Sequence, residues 1–395
     1  MSKLEELIEE LCPDGVEYKR VDEIFNISRG KVMSKDYIKD NAGDYPVYSS
    51  QTENNGVLGL ISTYEYDGEY LTWTTDGANA GTVFYRTGKF SVTNVCGLLE
   101  VINTELLSAK YGYYVLNMIA PDYVNRGMGN PKLMSNVMGR IKLPIPPLPV
   151  QEEIVRILDN FTDLTAELQA ELQARAKQYE HYHNSLMDFS DKEVKFMSVG
   201  ELFEIKNGLN KEKDAFGKGS PIVNFTDVYN KRWLAEGSFK GLVEVTEDEI
   251  ERYSAKKGDV FFTRTSETKE DIGMSSTLIE DIPNCVFSGF ILRARPITDL
   301  LLPKFCSYYF STHKVRNTIV RYAAFTTRAT TTGPKLSKIM VPIIPIEEQQ
   351  RIVDILDRFD ALCNDIKEGL PAEIESRQKQ YEYYRNKLLT FKELG

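Results

Sequence analysis

A chain of 395 residues exceeds the usual length of one domain, and with 42% hydrophobic and 27% charged residues it can bury real cores and is not a disordered chain. No stretch approaches the roughly 18 uninterrupted apolar residues of a membrane span, and the acidic start MSKLEELIEE lacks a signal peptide's basic-then-apolar order, so a cytoplasmic protein is expected. Five scattered cysteines (Cys12, Cys96, Cys285, Cys306, Cys363) argue against a disulfide scaffold or a clustered-thiol zinc site, and a net charge of −10 argues, on its face, against a nucleic-acid partner.

That sum hides local fields. Residues 301–341 hold seven basic side chains (Lys304, Lys314, Arg316, Arg321, Arg328, Lys335, Lys338) and no acid. Residues 106–151 hold five (Lys110, Arg126, Lys132, Arg140, Lys142) against the single Asp122. Two basic islands in an acidic protein leave an acidic partner open.

In chain order, residues 1–147 form a first mixed unit. TVFYR (82–86) has the alternation of a strand, and the segment around Tyr111–Met118 reads as helix. Pro144, Pro146, Pro147 and Pro149 then hold the chain extended and forbid helix upstream. Residues 148–190 are a helix with apolar residues at heptad spacing: Leu158, Phe161, Leu168, Leu172, Tyr179, Tyr182, Leu186 and Phe189. Its core, Gln151 to Phe189, would be about 58 Å long at roughly 1.5 Å per residue, too long for the core of a small domain. Residues 191–345 form a second mixed unit, with strands expected in GDVFFT (258–263) and VFSGFILRA (286–294) and a helix near Phe305–Ser311. Residues 346–395 repeat the apolar stripe through Leu356, Phe359, Ile366, Leu370, Tyr381, Tyr384, Leu388 and Phe391, with a break expected at Gly369–Pro371.

The chain is a duplication. LPIPPLPVQEEIVRILDNF (143–161) matches VPIIPIEEQQRIVDILDRF (341–359), with Gln151/Gln349, Leu158/Leu356, Asp159/Asp357 and Phe161/Phe359 in register. AELQARAKQYEHYHNSLMDF (170–189) matches AEIESRQKQYEYYRNKLLTF (372–391), and VEYKRVDEIFNISRG (16–30) resembles VKFMSVGELFEIKNG (194–208). Two helical stripes separated by a whole unit most simply pack antiparallel. The expected fold class is α+β: two pseudo-repeated α+β domains joined by two long antiparallel coiled-coil helices.

Catalytic signatures are missing. GKGS (217–220) lacks the upstream glycine and Lys-Ser/Thr pair of a phosphate cradle, and no Asn-Pro-Pro-aromatic segment of an amino-methyltransferase occurs. Pro13-Asp14 with Glu17 and Lys19 is too compressed for a nuclease metal site. His181 and His183 lie two apart on a helix, face different ways and cannot share a metal. The loops between elements, by contrast, are rich in Ser, Thr, Asn, Gln and Arg, the groups that read base edges and phosphates. They include YSSQTENNGVLG (48–59), LTWTTDGANAG (71–81), FTRTSETKEDIG (262–273) and FTTRATTTGPKL (325–336). Such clusters are also what plain surface loops contain.

A variable α+β unit, a proline-rich stop, Q-x-x-I-V-x-I-L-D-x-F and a long helix ending QYExYxNxL, all given twice, resemble the specificity subunit of type I restriction–modification systems over the entire chain. The tandem tetrapeptides Thr165–Leu168 and Gln169–Leu172 belong to that resemblance. It implies that each mixed unit is a target recognition domain reading half of a split double-stranded DNA site. It also implies that the helices space these domains and dock two modification (methyltransferase) subunits, which restriction subunits then join. Methyl transfer from S-adenosylmethionine and ATP-driven cleavage would belong to those partners, leaving this chain non-catalytic and without a cofactor or metal. Loop placement puts phosphate contacts at Arg126, Lys132, Arg140, Arg316, Arg321, Arg328 and Lys335. It puts base reading at Gln51, Asn54, Asn55, Thr75, Arg264, Thr265 and Thr331, with Trp73 as a stacking candidate beside Tyr48 and Tyr85. Two rivals remain: a nucleic-acid enzyme with an unrecognised site, and a coiled-coil scaffold whose mixed units bind protein or glycan.

Overall fold

The computed structural model describes every residue except Met1, Met128, 191–192 and 365–368, together with the side chains of 363–364. It divides into two compact units, Met1–Gln169 with Ile374–Gly395, and Ala170–Glu373. Each unit thus holds one mixed domain together with parts of both helical regions.

In the first unit a six-stranded sheet runs in the order Phe25–Arg29, Cys96–Val101, Tyr66–Thr74, Val83–Val92, Ala42–Tyr48, Val57–Ile61. All its pairs are antiparallel except Ala42–Tyr48 with Val83–Val92. The helix Ala109–Ile119 covers this sheet, and Leu71, Trp73, Leu99, Tyr111 and Val115 are buried between them. A capped helix, Lys3–Leu11, precedes the sheet and was not foreseen. The proline-rich run is extended as expected: Lys142–Ile145 pairs with Glu17–Arg20.

The second unit repeats the plan with a main sheet of five strands where the first has six, and adds two three-stranded sheets. Its five-stranded sheet has the order Phe203–Asn207, Ile291–Pro296, Val260–Thr263, Ser275–Leu278, Trp233–Leu234, and Met340–Ile343 pairs with Lys195–Ser198. The helix Pro303–Phe310 stands where Ala109–Ile119 stands in the first unit. The run 286–294 is not one strand. It forms Val286–Phe287 and Ile291–Pro296, which belong to different sheets, with Ser288–Phe290 as the turn between them.

The first long helix spans Leu148–Leu186 as 39 residues. Pro149 lies inside its first turn and does not hold the chain extended, because a proline there forfeits no helical hydrogen bond. The second region is two helices, Ile346–Asn364 and Leu370–Leu388, with Pro371 in the first turn of the latter. Ile366, expected in the stripe, lies outside the described residues. In the first unit Phe161 stacks on Tyr384 with ring centroids 5.4 Å apart; in the second Tyr182 stacks on Phe359 at 5.6 Å. Early residues of one helical region therefore meet late residues of the other, and the reverse, which is antiparallel order.

The repeated polar residues join helix to domain. Gln349 is fully buried: its Nε2 donates to the carbonyls of Leu300 (2.8 Å) and Ile344 (2.9 Å), and its Oε1 accepts from the Leu302 amide (2.8 Å). Gln151 makes the same three bonds to Leu106, Pro146 and Ser108. Asp357 accepts from Lys304 at 2.6 Å and Tyr308 at 2.7 Å; Asp159 accepts from Lys110 at 2.7 Å and Tyr114 at 2.6 Å. Gln349→Ala strands three buried backbone groups, and we expect it to destabilise the second unit by about 3 kcal/mol. Urea denaturation of the full chain checks this; a change under about 0.5 kcal/mol would mean that water replaces the amide.

His183 supplies a pH dependence. Its Nε2 donates to the Tyr308 carbonyl at 2.8 Å, its ring stacks on Tyr179, and it is 5% exposed, whereas His181 is exposed. Burial lowers its pKa from 6.5 to about 4. Between these values the unfolded chain binds a proton that the folded chain refuses, so stability present above pH 6.5 falls as pH drops toward 4, by roughly 3 kcal/mol in all. Unfolding measured from pH 7 to pH 4 should lose that increment of slope in His183→Gln.

Candidate nucleic-acid interface

The second unit gathers several foreseen residues into one concavity of about 480 Å³, lined by Asn210, Arg264, Thr265, Gly289, Phe290, Arg328 and Thr330–Thr332. The sheet positions it. The strand Val260–Thr263 is buried throughout, and the chain leaves the sheet at Arg264. Thr265–Ser266 then pairs with Ala329–Thr330, which pairs with Ala324–Phe325. Backbone bonds tie these loops together: the Thr331 amide donates to Arg264 O at 3.0 Å, Arg264 to Phe290 O at 3.1 Å, and Gly289 to Leu209 O at 2.7 Å. Gly289 has no room for a Cβ, which would lie 2.0 Å from Asn210 Oδ1.

Charge at this rim is available. Arg328 stands 3.8 Å from Glu267, and the two side chains are 66% and 87% exposed, so the pair is weak and easily exchanged for a phosphate or a base. Thr331, foreseen as a reader, is buried, and its Oγ1 has no hydrogen-bond partner among the described residues.

The other basic residues of this unit are not drawn into the concavity. Arg316 is half-buried on the helix His313–Tyr322 and donates to the Glu270 carbonyl at 2.8 Å. Burial holds its guanidinium below an ordinary arginine's pKa. It clips the 267–273 loop in place, which departs from the phosphate contact foreseen for it. Arg321 is exposed at the end of the same helix, and Lys335 is half-buried in the short helix Gly333–Leu336.

The first unit builds the same cluster with different side chains. Asp76 and Lys132 form an antiparallel bridge, flanked by Leu133 N to Thr75 O (2.9 Å) and Gly77 N to Pro131 O (3.0 Å). Thr75 therefore corresponds to Arg264 and Lys132 to Thr330. Asn94 N donates to Lys31 O (3.0 Å) as Gly289 N does to Leu209 O, which aligns Val95 with Phe290.

Lys132, Arg126 and Arg140 are exposed. Asn54 and Asn55 are exposed in a turn with φ of 48° and 52°, a region asparagine tolerates better than most residues. Gln51 is half-buried and donates to Val57 O at 2.6 Å. Beneath this turn Arg86, 2% exposed, lies 3.7 Å from the Tyr48 ring centroid and donates to Thr72 Oγ1 at 3.0 Å. Gly56, at φ +77°, keeps a Cβ off its guanidinium.

Two foreseen readers of this unit are corrected. Trp73 has no exposed surface, donates from Nε1 to Leu133 O at 3.0 Å, and lies so close to Gly97 that a Cβ there would fall 2.3 Å from its ring. It is a core residue and has no face free to stack on a base. Thr75 is 3% exposed, and its Oγ1 donates to Val95 O at 2.7 Å, so its hydroxyl positions the loop.

The residues that sequence reasoning missed are Asn210, Phe290, Lys31, Asp76 and Asn79, whose Nδ2 donates to Thr52 Oγ1 at 2.7 Å. Phe290 was hidden inside an apolar run that reads as one buried strand. Only the glycine before it signals a turn.

Comparison with known proteins agrees with this duplicated construction. The family model of the type I restriction modification DNA specificity domain matches the chain twice, at 13–178 and 191–376. A type I specificity subunit of Mycoplasma pneumoniae is 33% identical over 373 residues, covering 93% of this chain and 96% of the relative. The EcoR124I/EcoR124II specificity subunit of Escherichia coli is 33% identical over 297 residues, covering 71% of this chain and 70% of the relative. The crystal structure of the S subunit of a type I restriction–modification system from M. genitalium shares the fold, with a TM-score of 0.53 at 14% identity over 95% of this chain and 96% of that one. With two matched copies spanning most of its length, the chain belongs to the type I restriction–modification DNA specificity family, as a non-catalytic specificity subunit.

Proposed function

We propose that the chain reads a bipartite double-stranded DNA target, one half-site for each recognition domain (1–147 and 191–345), while the helices (148–190 and 346–395) space the domains and dock two methyltransferase subunits. Restriction subunits join through these, and the complex works in the cytoplasm, where the DNA is. The observation that carries the reading is the loop cluster built twice on one backbone plan with different side chains: Thr75, Asp76, Lys132 and Val95 in one unit, Arg264, Thr265, Thr330 and Phe290 in the other. One scaffold with two side-chain sets is what reading two unlike half-sites requires, and internal pseudosymmetry lets one chain seat two identical partners. Base contacts are assigned to Gln51, Asn54, Asn55, Arg264 and Thr265, and phosphate contacts to Arg126, Lys132, Arg140, Arg321, Arg328 and Lys335.

Affinity should come largely from the assembled complex. With a net charge of −10, the isolated chain should bind target DNA about a thousand-fold more weakly than the chain with its methyltransferase partners, and with steep salt dependence. Fluorescence anisotropy at several salt concentrations measures both. Equal, sequence-specific affinity of the isolated chain at physiological salt would contradict this division of labour. Absence of specific binding even with the partners would sink the function itself.

A further inference from the structure

The geometry points to Phe290 as a specificity-determining residue that reads a thymine through its 5-methyl group, in the half-site of the second domain. The inference rests on the DNA-reading function above and names a contact within it. Phe290 is 67% exposed, so folding gains little from its ring. Its position is nevertheless tightly set. Its amide donates to Ser288 Oγ at 3.3 Å, its carbonyl accepts from Arg264 N, and Gly289 before it is wedged against Asn210. A rigid turn that holds a phenyl ring in solvent, at the edge of a concavity shared with Arg264 and Arg328, suits recognition better than packing.

The surroundings select the partner. Among the described residues two arginines and no carboxylate line the concavity, which favours a polyanion, and arginine in a DNA groove pairs with guanine O6 and N7. The one strongly apolar group that a base edge offers in the major groove is the thymine methyl, which phenylalanine contacts. A second observation supports the assignment. The first unit places Val95, 39% exposed, at the corresponding tip, so both readers carry an apolar side chain where their loops converge. Thr331, which lines the same concavity, keeps its Oγ1 buried with no hydrogen-bond partner among the described residues.

The test uses the complex of the full chain with its methyltransferase partners. In DNA carrying its target, each thymine of the second half-site is replaced in turn by deoxyuridine, which removes only the methyl. At one position the wild-type complex should bind about four-fold more weakly, the worth of one buried methyl group. Phe290→Ala should bind the thymine and deoxyuridine duplexes equally, and its methylated motif should become degenerate at that base pair alone. A retained methylated motif whose first half-site sequence is unchanged reports that the variant folds and assembles. A second half-site without thymine, no methyl-sensitive position, or a Phe290→Ala complex that keeps the sensitivity would each overturn the assignment while leaving the DNA-reading function intact. A wild-type complex that finds no specific DNA would remove the function and this contact together.

Discussion

Deletion of Gln169–Leu172 is expected to shorten the unread gap of the proposed DNA target by one base pair and to leave both half-site sequences unchanged. These four residues lie within the uninterrupted helix Leu148–Leu186. Gln169, Ala170 and Glu171 are exposed and only Leu172 is half-buried, so their removal costs little core. Four helical residues carry about 6 Å of rise and a net turn of about 40°. A base pair of B-DNA rises about 3.4 Å and turns roughly 34–36°. One tetrapeptide thus matches one base pair in rotation and nearer two in rise, and rotation decides because each domain must face its groove. The deletion strain should stop modifying the original target and modify one with the shorter gap, which methylome sequencing reads out. Full activity with the original gap would mean that the helices join the domains without measuring DNA.

Arg328→Ala should damage recognition by the second domain alone. The side chain is two-thirds exposed and only loosely held by Glu267, so its loss leaves no buried charge and should shift stability by less than about 0.5 kcal/mol. Loss of a base or phosphate contact, in contrast, costs about 1–3 kcal/mol, roughly a 5- to 150-fold drop in affinity for the half-site. Affinity measured on targets varied one half at a time should show that drop on one side only. Altered recognition of both halves would show that the two domains are not independent readers.

The duplication and the helices were legible because the residues that repeat are those that fasten helix to domain. Gln151 and Gln349 recur since each satisfies three buried backbone groups, and Asp159 and Asp357 since each takes a lysine and a tyrosine. The concavity of the second unit was half legible. Polar loops flagged Arg264, Thr265, Arg328 and Thr331, and the fold brings all four together. Loop composition does not say which side chains the loop consumes for itself, and Thr75, Trp73 and Arg316 were consumed in this way. Nor does periodicity distinguish a buried strand from two strands with a turn between them, which is how Phe290 was overlooked.

The most direct test of the two-reader account is a strand-resolved map of N6-methyladenine in host cells with and without this gene. One gene-dependent motif is expected, made of two unlike half-sites separated by a fixed unread gap, and it should vanish when the gene is removed. A methylome unchanged by the loss, or a gene-dependent motif that is one contiguous block, would contradict it.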